Sequence, residues 1–177
     1  MKGKLSDMEK KSIEQIVDYL LDKFDYHDGS DIYVDITRLV NVLGFQVGES
    51  DKFNDTEDGF ILVKDDKKII GVNKNRTIED KRFIIAHELG HYLIHRTDEE
   101  TFFMHRENLK GKNNEENDAD YFAACLLMPS KSFKAIYEII TSSMLDPKEN
   151  DIIPLMQKLF RTPKTSISRR IDEVIYE

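Results

Sequence analysis

A chain of 177 residues with 40% apolar and 34% charged side chains has the material for one domain with a real core and a soluble surface. Its formal net charge of −8 excludes a general affinity for nucleic acid and leaves room only for a local basic patch. The single cysteine, Cys125, excludes an intrachain disulfide framework, fits a reducing cytosol and reads as a small core residue in the apolar run Phe122 to Met128.

The segment Met1 to Asp7 leads into an amphipathic pattern, with no signal peptide and no uninterrupted apolar span, so a cytoplasmic protein without membrane contact is expected. Leu5, Met8, Ile13, Ile16, Val17, Leu20, Leu21 and Phe24 recur at helical spacing and predict a first helix over residues 5–26. Asp28-Gly29-Ser30 breaks it. Asp35 is placed to cap a short helix through Leu39, Val40 and Leu43, which Gly44 ends. Phe45-Gln46-Val47 predicts a short strand, and the polar stretch Gly48 to Asp58 predicts a loop without chemistry. Gly59 to Lys64 and Lys67 to Asn73 predict a hairpin about Asp65-Asp66. These give an α+β protein: a short, mainly antiparallel sheet of about three strands packed on helices. An exposed edge of such a sheet can take an extended peptide as an added strand.

Thr77 caps the next predicted helix, with Glu79 and Asp80 in its first turn. Within it stands His87-Glu88-Leu89-Gly90-His91. Histidines at i and i+4 share a helix face, their Cβ atoms about 5–6 Å apart, so both imidazoles can reach one metal ion. Glu88 then stands beside a water on that ion and serves as a general base. The flanking Ile84, Ile85, Leu89 and Leu93 predict burial, and a buried histidine needs a partner. Gly90 costs about 1 kcal/mol against alanine in a helix interior, which a close approach of another backbone would justify. His95 lies two turns beyond His87, about 12 Å along the axis, too far to be a third ligand; it reads as a cation that ends the helix. The longer motif ending in a third histidine is absent, since Ile94 and Thr97 hold its last two places. Residues 97–114 predict a polar loop, in which His105 is a candidate contact to substrate or oxyanion.

A catalytic zinc takes three protein ligands and a water, so one further ligand is sought on the following helix. Glu116 and Asp120, one turn apart, flank its apolar face of Ala119, Phe122, Ala123, Leu126 and Leu127. Glu116 would ligate, and Asp120 would accept a hydrogen bond from the far nitrogen of His87 or His91. Glu115 and Asp118 stand as alternative ligands. Zinc is the expected ion; manganese or iron would suit the same donors.

The stretch Arg82 to His95, followed by Glu116 to Pro129, resembles the ImmA/IrrE family of metallopeptidases. The likeness extends upstream through Leu43-Gly44-Phe45, the Gly59 strand and Ile69 to Asn73, so it covers most of residues 30–130. It implies a zincin-like core with His87, His91 and Glu116 as ligands and Glu88 as base. It also implies a setting in bacteria, phages or mobile elements, with helix-turn-helix repressors as substrates. Asp120 stands where the family often has asparagine, and either side chain accepts from imidazole.

Ser132 to Ile140 predicts an amphipathic helix, Asp146 to Asn150 a linker, and Leu155 to Phe160 and Ser166 to Ile171 two short helices about Thr162-Pro163. The last two resemble the helix-turn-helix-like tail that many members of that family carry, which implies a metallopeptidase domain over 1–145 and a small helix-turn-helix-like extension over 146–177 packed on it. From Leu155 to Glu177 five basic residues face three acids, a local +2. That is too weak for a DNA-reading footprint and favours packing or substrate docking.

Two functions follow. One is a zinc-dependent endopeptidase that cuts a repressor of a phage or mobile element. The other is a non-proteolytic regulatory module that sequesters a repressor or senses metal.

Overall fold

The computed structural model describes residues 5–26, 32–54, 56–95, 101–106 and 114–176, the strand 101–106 in its backbone only. Helix α1 (Asp7–Lys23) starts at a capping box in which Ser6 and Glu9 satisfy each other's backbone N–H groups, and it buries Ile13, Val17, Leu20 and Leu21. Helix α2 (Ile36–Val42) is capped by the Asp35 carboxylate, which accepts from the Arg38 N–H at 3.0 Å. Gly44, at φ 89°, turns the chain into strand β1 (Gln46–Ser50), a conformation few other residues adopt.

Strands β2 (Glu57–Lys64) and β3 (Lys67–Asn73) form the expected hairpin, with Asp65 at φ 51° in its turn. Helix α3 (Ile78–Ile94) follows, then strand β4 (Thr101–Arg106) and helix α4 (Asn114–Leu127). The sheet runs β1-β3-β2-β4, with β1 parallel to β3 and the other two pairs antiparallel. The α+β expectation holds, with one strand more than the sequence reading gave. The loop expected over 97–114 contains β4, because Thr101-Phe102-Phe103 carries the branched and aromatic side chains that suit a pleated surface. Charged neighbours hide that run from a composition-based reading.

The chain closes with α5 (Ser130–Ser142), α6 (Glu149–Phe160) and α7 (Lys164–Ile175). Helix α6 begins six residues before the expected start and passes through Pro154. Pro154 is exposed, so water can bond the carbonyl that its missing N–H leaves over. The core lies between the helix-facing side of the sheet (Ile61, Ile70, Val72) and Ile84, Ile85, Leu89, Phe122 and Leu126 of α3 and α4, all at most 5% exposed. No helix among the described residues is long and apolar enough to cross a membrane.

Candidate metal centre

Helix α3 is the centre of the molecule. Its start is capped by Thr77, whose Oγ1 accepts from the Asp80 N–H at 3.1 Å. Nine consecutive residues, Ile84 to Tyr92, are buried. The sheet covers one side, and α4 covers another at very short range. A Cβ on Gly90 would stand 3.2 Å from the Ala119 Cα and 3.0 Å from the Phe122 ring. The backbone that comes close to Gly90 is that of α4. Arg82, 6% exposed, locates α3 along its axis: its guanidinium donates to the Val34 carbonyl at 2.8 Å and to the Arg161 carbonyl at 3.1 Å.

The tight α3–α4 contact brings three donors together. His87 Nε2 and His91 Nε2 lie 3.0 Å apart, with their rings edge to face at 76°. The Glu116 carboxylate faces both, its Oε2 3.4 Å from His87 Nε2 and its Oε1 3.4 Å from His91 Nε2. Ligand atoms about 2.0–2.1 Å from a tetrahedral ion stand about 3.3 Å from one another, so the spacing and the His₂-carboxylate chemistry both fit a divalent ion. This trio could hold a metal. His87 and Glu88 are fully buried and His91 is 2% exposed. Burial draws the His91 pKa below its ordinary value, opposed by the hydrogen bond to Glu116, which favours the neutral imidazole that metal binding requires.

Of the two histidines, it is His87 that Asp120 meets. His87 Nδ1 donates to Asp120 Oδ1 at 3.0 Å, which fixes the tautomer that leaves the lone pair of Nε2 pointing at the other two donors. Glu88 lies between α3 and the sheet. Its Oε1 is 3.5 Å from where a Cβ on Gly59 would stand, and that Cβ would also meet Ile84 Cγ2 at 2.5 Å. Only glycine at position 59 lets strand and helix come this close, the meaning that a glycine inside a strand pattern carries.

Of the alternative acids, Asp118 faces His95 with its carboxylate, and Glu115 meets the same ring through its backbone carbonyl. His95, the C-cap of α3, approaches the Glu115 carbonyl at 3.1 Å and the Asp118 carboxylate at 3.7 Å, so it closes the helix against the start of α4. The backbone of His105 pairs with Gly59; its side chain lies outside the described residues. Cys125 is buried, and desolvation pushes its thiol up to about 11, which makes it an inert core residue.

Two residues near the site escape the sequence reading. Gly59 carries a signal in its place within a strand. Arg169 carries none: its guanidinium donates to Asp120 Oδ2 at 3.2 Å from a helix 49 residues further on.

Among solved structures, a Mycobacterium tuberculosis transcriptional regulator shares this fold with a TM-score of 0.53 at 17% identity. The alignment covers 94% of this chain and 47% of that one, so this chain spans about half of that regulator. No curated protein matches it. The sequence matches the family Peptidase_M78, the IrrE N-terminal-like domain, over residues 40–171, a span that contains α3, α4 and the donor trio they bring together. The chain belongs to the Peptidase_M78 family.

Proposed function

We propose that the chain is a zinc-dependent endopeptidase whose substrate is a helix-turn-helix repressor of a phage or mobile element. The observation that carries this reading is the donor trio: His87 and His91 present Nε2 atoms 3.0 Å apart, each 3.4 Å from one oxygen of the Glu116 carboxylate, and Glu88, next to His87 on the same helix, is fully buried. When bound there, zinc supplies the positive charge that polarises a carbonyl and acidifies water. Glu88 takes the proton from the attacking water and returns it to the leaving amine. Asp120 holds the His87 ring in place.

Substrate docks in this reading as an added strand on β4. That strand pairs with β2 at Gly59, and Gly59 borders Glu88. The other edge, β1, is separated from β2 by β3. In this reading residues 1–145 supply the three donors and the base, and 146–177 pack on them rather than read DNA. The family name and a structural neighbour titled a transcriptional regulator support a place in gene control.

The test mixes the protein with a co-encoded repressor and follows the repressor's length. Wild type should shorten it. Glu88→Gln should keep bound zinc and lose cleavage by a factor of at least about 10². Persistent cleavage in that variant would remove Glu88 as the base. A full-length repressor that only loses DNA binding would favour the non-proteolytic module.

A further inference from the structure

Asp120 has a second partner that ties the site to the end of the chain. Its Oδ1 accepts from His87, and its Oδ2 accepts from the Arg169 guanidinium at 3.2 Å. The carboxylate is 8% exposed and the arginine side chain 56%, so the pair lies where helix α7 crosses the rim of α4. Exposed ion pairs often contribute little. This one differs because the carboxylate is buried and already engaged by an imidazole of the donor trio.

Helix α7 is not free to turn away. The next residue, Arg170, is 1% exposed; it donates to the Met128 carbonyl at 3.2 Å and the Ser130 hydroxyl at 2.8 Å, and pairs with Glu173 at 3.3 Å. Ile167 and Ile171 are fully buried. These contacts set the rotation of α7 about its own axis. Adjacent residues on a helix point about 100° apart, so locking Arg170 inward aims Arg169 along the rim at Asp120.

A carboxylate held by one oxygen can still swing about its terminal torsion. Held by both, it presents a fixed lone pair to His87 Nδ1, and the imidazole plane is fixed with it. The geometry points to Arg169 as a positioning residue of the metal centre, which makes α7 part of that centre. This inference rests on the metal reading above. Coupling of this kind is reciprocal: metal at the trio holds α7 in place, and a ligand that pulls α7 away weakens the metal.

The experiment measures zinc affinity by competition with a chelator of known strength. It uses the full chain as wild type, Arg169→Ala, Arg169→Lys, Asp120→Asn and the Arg169→Ala/Asp120→Asn double variant, with circular dichroism to show that each is folded. Loss of a carboxylate that supports a ligating histidine weakens a metal by about 10–100-fold. Arg169 acts one step further out, so its removal should cost about 3–10-fold, with Lys restoring part of the loss. In the Asp120→Asn background, Arg169→Ala should have no further effect. Equal zinc affinity in wild type and Arg169→Ala would overturn the inference and leave the metal centre standing, as would a full additional loss in the Asn background. A wild type that takes up no zinc would remove the metal reading and this inference together.

Discussion

Gly90→Ala sets two opposed effects against each other at the helix contact that assembles the site. Alanine is better than glycine in a helix interior by about 1 kcal/mol, and at an unpacked position that gain would stabilise the protein. At Gly90 the added methyl would meet Phe122 Cδ1 at 3.0 Å, Ala119 Cα at 3.2 Å and Phe122 Cβ at 3.3 Å. A phenylalanine ring can tilt away. The Ala119 Cα cannot, because it is backbone in the middle of α4. The helices must separate by a few tenths of an ångström, and overpacking of this kind costs about 1–3 kcal/mol. The net expectation is a loss of about 1 kcal/mol, a fall of roughly 2–4 °C in Tm for a chain of this size. Glu116 stands one turn before Ala119 on the same helix, so it moves with it. A displacement of that size exceeds the ~0.2 Å tolerance of metal–ligand distances, and zinc affinity should fall about tenfold. The assays are a thermal melt and a chelator competition on the same preparation. A higher Tm with unchanged zinc affinity would refute the reasoning, since the gap between α3 and α4 would then have room for a methyl.

Gly59→Ala should be worse: its Cβ would stand 2.5 Å from Ile84 Cγ2 and 2.9 Å from the Gly71 carbonyl, a loss of about 2–3 kcal/mol that urea denaturation would read. Zinc at about 100 times its Kd should stabilise the chain by about 2.7 kcal/mol and raise Tm by roughly 5–11 °C; EDTA should reverse the rise, and a Tm indifferent to both would count against a folded metal centre. Alkaline pH should destabilise the protein. Burial raises the Cys125 thiol from 9.0 to about 11 and raises the Tyr121 phenol as well, so the unfolded chain loses these protons first. The Cys125 contribution is intact below pH 9 and fades towards pH 11, on the order of 3 kcal/mol in all. Equilibrium denaturation across that interval should show the decline, with a shallower slope in Cys125→Ala, and at pH 8 the thiol should resist alkylation until the protein unfolds.

The site was legible where its chemistry is local. His87, Glu88 and His91 share one turn of helix, and Glu116 and Asp120 share another, so spacing alone assigns each pair to a face. Gly90 announced a close approach because a helix interior disfavours glycine, although nothing local could say which backbone approached. The strand at 101–106 was illegible because its short apolar run sits among charges and polar residues, and it becomes a strand only by pairing with β2. The first turns of α6 carry no clear helical mark either: proline normally breaks a helix, and only the solvent exposure of the Pro154 turn, a tertiary fact, lets α6 continue through it. Arg169 was invisible for the most general reason. A single arginine on a surface helix carries no mark of the carboxylate it will meet after folding.

The Arg82 guanidinium has a consequence for the order in which the molecule comes into being. Its two carbonyl partners belong to residues 48 positions before it and 79 after it. A chain growing from its N-terminus makes the whole motif helix long before Arg161 exists. Until then a charge destined for burial lacks one of its acceptors, and such a charge resists leaving water. The helix that bears both histidines therefore gains the second of these acceptors only once Arg161 has been made. The seat of the donor-bearing helix is thus closed from its C-terminal side, by a residue made well after Glu116, the last of the three donors.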